Sequence, residues 1–300
     1  MLTSFSDLER IARKKGGVVR VLVAAAHDAH TLQGVNEACG KGMIEPVLIG
    51  NGAKIREIID AGGLGISGAE IIETADDVQS AKKAAQLAAS GYGNVLMKGR
   101  LQTADLLREV VNKELGLLTG EIMSHAGLFQ IPGYHKLMIL TDGGMVISPN
   151  AEQKRQILRN AVSVFAALGV TNPKAAVLCA AEVENPKIPA TVDAALLKKQ
   201  NAEGIIRDCV VEGPISFDLM YDKESAKIKG YESPVAGDAD ILLMPDMTAG
   251  NLVAKTFMCA AKAMMAGLVV GAKVPIVLVS RGAAAEEKYW SLVFAASLAQ

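Results

Sequence analysis

Short apolar runs alternate with longer amphipathic segments along almost the whole chain. Residues 19–24, 45–49, 70–73 and 94–97 are brief stretches bounded by Gly, Asn or Asp, as buried strands are. Between them lie segments such as 77–89, which sets Val78, Ala81, Ala84, Ala85 and Ala88 along one helical face. Strand and helix in regular succession predict a doubly wound, largely parallel α/β sheet.

The rhythm breaks over 117–132, an irregular stretch bearing glycines, and resumes with a strand at 136–141 and a long helix from residue 150 or 151. Further strands are predicted at 175–180 and 240–244, a helix at 191–202, and a loop-rich stretch over 210–237. A last strand at 275–280 and a last helix at 284–299 close the chain. The 300 residues exceed one ordinary domain of about 100–150 residues. The break sets the expected division: residues 1–135 plus 272–300 as a first α/β lobe, 136–271 as a second. Sheets of this kind place catalysis at the carboxyl ends of strands, so the site is expected there, in a cleft between the lobes.

Half of the residues are hydrophobic and only 4% aromatic, which suits many aliphatic strands sheathed by helices. Lys and Arg number 31 against 32 Asp and Glu, scattered rather than striped, so neither nucleic acid nor a membrane is an expected partner. An anionic substrate has to be met locally. Cys39, Cys179, Cys209 and Cys259 lie far apart, form no metal-spaced set with the histidines, and read as reduced core residues. Residues 1–17 lack the apolar run of a signal peptide, and no apolar stretch approaches the ~20 residues that span a bilayer. A cytoplasmic protein is expected.

Three strand ends carry candidate chemistry. In 240–255, DILLMPDMTAGNLVAK, a strand delivers Asp246 to its end and a helix opens near Thr248. N–H groups around Gly250 and Asn251 are then candidates to face an anion, the glycine letting it approach; a plain turn capped by Thr248 is the alternative. In 275–288, PIVLVSRGAAAEEK, Ser280 and Arg281 end a strand while Glu286 and Glu287 open the last helix. Arg281 suits a phosphate clamp and one glutamate a base; alternatively the glutamates complement the helix dipole and Arg281 pairs with one of them. In 98–108, Lys98, Arg100 and Arg108 are phosphate-binding candidates or solvated charges. His125, His27, Asp142, and Lys187 in a loop stiffened by Pro186 and Pro189 are single candidates, each open to a structural reading. Walker A, GxSxG and HExxH sequences are missing, as is GxGxxG after the first strand, which weighs against nucleotide hydrolysis and an ordinary dinucleotide dehydrogenase.

Pro234-Val235-Ala236-Gly237-Asp238-Ala239-Asp240 running into Pro245-Asp246-Met247-Thr248-Ala249-Gly250-Asn251, followed by the Ser280-Arg281 strand end, resembles the phosphate acetyl/butyryl transferase family. The likeness extends through Gly99, Thr103-Ala104-Asp105, Thr141-Asp142-Gly143-Gly144 and Asn185-Pro186-Lys187, nearly the whole chain. It implies two lobes of the isocitrate/isopropylmalate dehydrogenase-like kind, no bound metal or cofactor, and a homodimer or higher homo-oligomer assembled largely through the second lobe. It also implies an acyltransferase that passes a short acyl group reversibly between coenzyme A and inorganic phosphate, giving acyl phosphate.

By that resemblance Ser280, Arg281 and Glu287 line the site, with Glu286 as the alternative base. Asp246, Thr248, Gly250, Asn251, Arg108, His125 and Lys187 are expected to bind substrate. Ser124-His125-Ala126-Gly127 resembles the butyryl branch, whereas Ala283-Ala284 stand where that branch tends to carry Asp-Ser. A butyryl-like chain is therefore expected. An acetyl-transferring enzyme and a non-catalytic binder of CoA esters or acyl phosphates are the alternatives; a metal-dependent β-decarboxylating dehydrogenase would need more acidic ligands than Asp240 and Asp246.

Overall fold

In the computed structural model, which describes residues 2–299, strand β1 (Val19–Ala24) buries five of its six side chains between two parallel neighbours. A central α/β strand reads as a near-continuous apolar run for this reason. It belongs to a first compact unit, Phe5–Glu121 plus Ala266–Gln300. There α1 (Phe5–Lys14) and β1 are followed by α2 (Ala29–Gly40), β2 (Ile44–Gly50), α3 (Gly52–Gly62), β3 (Glu70–Glu73), α4 (Asp77–Ala89), β4 (Val95–Lys98) and α5 (Thr103–Val110). Asp28, Asn51 and Asp76 cap α2, α3 and α4, each accepting from the N–H three residues on, an interaction worth roughly 1 kcal/mol apiece.

The second unit, Met1–Ser4 plus Ile122–Met265, holds β5 (Ser124–Gln130), β6 (Met138–Thr141), α6 (Ala151–Ala167), β7 (Lys174–Leu178), α7 (Pro189–Ala202), β8 (Val210–Ile215), α8 (Phe217–Tyr221), α9 (Lys223–Ile228), β9 (Ile241–Leu243) and α10 (Met247–Cys259). A capping box between Asn150 and Gln153 starts α6. The chain then supplies β10 (Met264–Val270), β11 (Ile276–Val277) and α11 (Ala285–Leu298). Strand order is β3-β2-β1-β4-β11-β10 in the first unit and β5-β6-β9-β7-β8 in the second. Within the units every pairing is parallel except β5–β6 and β10–β11.

Several stretches differ from the sequence pattern. Residues 117–132, read as irregular, contain β5, whose SHAGLFQ lacks alternation because it is buried on both faces. Its antiparallel pairing with β6 draws 122–135 into the second unit, so the division falls after Glu121 and Met265, where the sequence rhythm put it after 135 and 271. The 210–237 stretch holds β8, α8 and α9 instead of loop alone, and β10 was not anticipated. The last strand shrinks to two residues, leaving Ser280 and Arg281 in the turn beyond it. All four cysteines are free, but only Cys209 is buried and Cys259 is exposed, so they are not all core residues. Among the described residues no helix is long and apolar enough to cross a membrane.

One crossing positions the candidate site. α11 buries nine residues, Lys288 among them. It closes on α2 at Gly34, where a Cβ would stand 2.9 Å from the Ala285 carbonyl oxygen and 3.0 Å from the Tyr289 nitrogen.

Candidate active site

Three chain segments that leave strands of the first unit converge on a cavity of about 600 Å³. Asp28 comes from the β1 side, Gly99 and Arg100 from the end of β4, and Arg281 and Gly282 from the turn beyond β11; Lys288, Asp77, Gln102 and Asp105 complete the lining. The end of β4 docks on the end of β1 through N–H donations from Gly99 to the Ala24 oxygen (2.8 Å) and from Arg100 to the Ala25 oxygen (3.0 Å). Gly99 has to be glycine for this, since a Cβ would collide with the Ala25 carbonyl oxygen.

Buried Lys288 donates to Asp28 Oδ2 at 2.6 Å and to Thr31 Oγ1 at 2.9 Å. Partial burial pushes the Asp28 carboxyl up, but the hydrogen bonds from Lys288 and Thr31 and the Lys288 charge outweigh it and bring the group down to about 2. Lys98, beside Gly99, is 2% exposed. Among the described residues its Nζ reaches only the carbonyl oxygens of Gly99 (3.3 Å) and Leu101 (3.4 Å). Burial, then the charges of Lys288 and Arg281, lower its ammonium to about 8, with Asp28 opposing. The other two acids of the lining are engaged elsewhere, Asp77 with His27 Nε2 at 3.3 Å and Asp105 with Arg108 at 3.1 Å. With Asp28 held by Lys288 and Asp105 by Arg108, the lining leaves Arg100 and Arg281, with buried Lys98 beside Gly99, as cations that can meet a phosphoryl group.

The predicted residues of the first unit divide. Arg281 lines the cavity, and Ser280 is exposed in the same turn. Glu286 is exposed and Glu287 half-buried in the first turn of α11, and neither is in the lining. Arg108 also lies outside it, exposed and paired with Asp105.

In the second unit the organising residue is Asp142, which is 2% exposed. Its carboxylate accepts from the N–H groups of Gly144 and Met145 (2.7 Å each), His125 (3.0 Å) and Val146 (3.3 Å). The His125 ring is pulled down by burial, partly offset by the Asp142 charge, and its Nδ1 has no hydrogen-bond partner among the described residues. Asp246, not Thr248, caps α10, accepting from the Ala249 N–H at 2.9 Å, and Thr248 is exposed.

Gly250 departs from its expected use. Its N–H donates to the Asp246 oxygen at 3.1 Å and is not free for an anion. The missing side chain instead lets α10 press on the Asp142–Gly143 turn, where a Cβ would collide with the Asp142 oxygen. Asn251 joins the same contact, its Nδ2 donating to the Gly143 oxygen at 3.2 Å. Lys187 is exposed in a loop shaped by its own N–H donating to Asn185 Oδ1 at 3.0 Å. Asp238, from the motif ahead of β9, is held by Lys174, Lys136 and His135, which gives that motif a structural task.

The model of the phosphate acetyl/butaryl transferase family matches residues 78–296. The chain belongs to the phosphate acetyl/butyryl transferase family. It is 38% identical over 299 residues to the phosphate butyryltransferase of Clostridium acetobutylicum, covering 100% of this chain and 99% of that protein. Identity to the phosphate acetyltransferase of Thermotoga maritima is also 38%, over 292 residues, covering 97% and 98%. The crystal structure of a branched-chain phosphotransacylase from Enterococcus faecalis V583 matches with TM-score 0.84 and 32% identity, over 94% of this chain and 99% of that one. The chain is thus a phosphate acyltransferase by family, with the mostly parallel α/β fold of phosphotransacylases.

Asp28 and Lys288 line the candidate cavity without having been singled out in the sequence. A signal existed for each: Asp28 follows an apolar strand and caps a helix, and Lys288 is a lone cation entering the apolar run Tyr289–Phe294. Among the described residues, no three His, Cys, Asp or Glu side chains gather as metal ligands.

Proposed function

We propose that this chain catalyses reversible, direct transfer of a short, butyryl-like acyl group between coenzyme A and inorganic phosphate. The observation that carries the reading is Arg281 in the wall of a cavity backed by Lys98 and Lys288, a cationic pocket matched to phosphate. In the direction of acyl-CoA formation, the CoA thiol, with an ordinary pKa near 8.5, gives its proton to a carboxylate as sulfur attacks the acyl phosphate carbonyl. Glu287 is the proposed base, with Glu286 the alternative. The tetrahedral intermediate then expels phosphate, whose growing charge Arg281 takes. Ser280 is proposed to donate to the oxyanion, an effect of about 3–4 kcal/mol for a good donor. CoA and phosphate are substrates, and the scheme needs no bound cofactor.

The fold description that goes with this reading is the isocitrate/isopropylmalate dehydrogenase-like one, supported by two compact units, each of mostly parallel strands with helices. A cytoplasmic homo-oligomer completes it. Free cysteines suit a reducing compartment, and exposed Ile147, Val183, Ile228 and Leu252 in the second unit suit subunit contact there.

CoA release from acetyl-, propionyl-, butyryl- and isobutyryl-CoA, with and without phosphate, tests the substrate. Fastest phosphate-dependent release from a four-carbon ester supports the butyryl reading, and fastest release from acetyl-CoA replaces it with the acetyl one. No release from any ester by folded protein leaves a CoA-ester or acyl phosphate binder.

A further inference from the structure

We infer that Lys288 forms the floor of a phosphoryl subsite, that buried Lys98 supports it through its charge, and that Lys98 gains a proton when the dianion arrives. This rests on the proposed reaction and adds to it a proton-linked element that the Arg281 clamp does not require.

The geometry points there because the charges facing Lys98, two buried lysines, half-buried Asp28 and exposed Arg281, do not balance. The charged groups facing Lys98 are Lys288 from α11, Arg281 from the turn after β11, and Asp28 ahead of α2. Asp28 is committed to Lys288 at 2.6 Å. Lys98, 2% exposed, has no carboxylate partner among the described ion pairs, and its two carbonyl contacts, at 3.3 and 3.4 Å, are longer than good N–H···O bonds. With all three cations charged against one carboxylate, the cluster carries two unmatched positive charges, the complement of a phosphoryl dianion.

Lys288 is in the cavity wall and would meet the anion, whereas Lys98 is buried next to Gly99, outside the lining, and acts through its charge as a positioning residue. With no anion bound, burial first and the charges of Lys288 and Arg281 second let Lys98 lose its proton at about pH 8. Once a dianion sits on Lys288 and Arg281, the repulsion is offset and the Nζ lone pair takes a proton from solvent; no other bond changes. Inorganic phosphate, the phosphoryl end of an acyl phosphate and the phosphates of CoA share this chemistry, so the test separates them.

Inorganic phosphate is titrated calorimetrically into the full chain at pH 8.5 in two buffers of different ionisation enthalpy. Phosphate is already dianionic there, and an ammonium titrating at about 8 has lost a substantial part of its proton, so phosphate binding is expected to take up a measurable fraction of a proton per site. Lys98→Met, and independently Lys98→Gln, should bind phosphate at least ~10-fold more weakly and take up no proton. Wild-type binding without proton uptake overturns the inference, as does failure to bind phosphate or wild-type uptake in both variants. A parallel titration with CoA alone that gives the same uptake and competes with phosphate reassigns the subsite to CoA. Proton-linked phosphate binding without phosphate-dependent CoA release would sink the proposed reaction and leave the subsite standing; release without uptake would do the reverse.

Discussion

Lys288 at the start of α11 donates to Asp28 at the cap of α2, 2.6 Å apart in space and 260 residues apart in sequence. With side-chain exposures of 3% and 26%, the pair is mostly withdrawn from water. Removing one member of a buried pair leaves the other uncompensated, at roughly 3–5 kcal/mol. Because Asp28 keeps some access to solvent, Lys288→Met and Asp28→Asn are each expected at the lower end of that range in urea unfolding, and the double variant should cost less than the two combined. Single variants within ~0.5 kcal/mol of wild type would contradict this.

The same carboxylate sets an acid dependence. Its folded pKa of about 2 lies below the ordinary 3.8, so its contribution to stability is fully present above pH ~4 and is lost as pH falls toward 2. Urea midpoints measured between pH 5 and 2.5 should fall less steeply for Asp28→Asn than for wild type. Parallel curves would remove Asp28 from the explanation.

Gly250→Ala tests the packing of α10 on the Asp142–Gly143 turn. The added methyl collides with the Asp142 oxygen and stands 2.9 Å from Gly143 Cα, both backbone atoms. A destabilisation of about 1–3 kcal/mol is expected, against a small gain from helix propensity. A variant as stable as wild type would show that the turn can give way.

Much of the fold was legible where one local signal dominates. β1, β3 and α4 fall on the predicted residues because short apolar runs bounded by polar or turn residues mark the strands and an amphipathic period marks the helix. β5 was not legible: Gly127 and His125 break its pattern, and its strand character comes from pairing with β6. At the site, Arg281 could be read from its strand-end position, whereas the Asp28–Lys288 pair exists only because α2 and α11 cross at Gly34. Gly250 shows the opposite error, a glycine read as room for a ligand that makes room for a neighbouring turn.

The most direct test of the central claim is the initial rate of CoA thiol release from butyryl-CoA, with and without phosphate, for wild type and Arg281→Ala. The account predicts release only with phosphate, and kcat/KM at least about 100-fold lower in the variant. Phosphate-independent release, or near-normal phosphate-dependent turnover by Arg281→Ala, would contradict it.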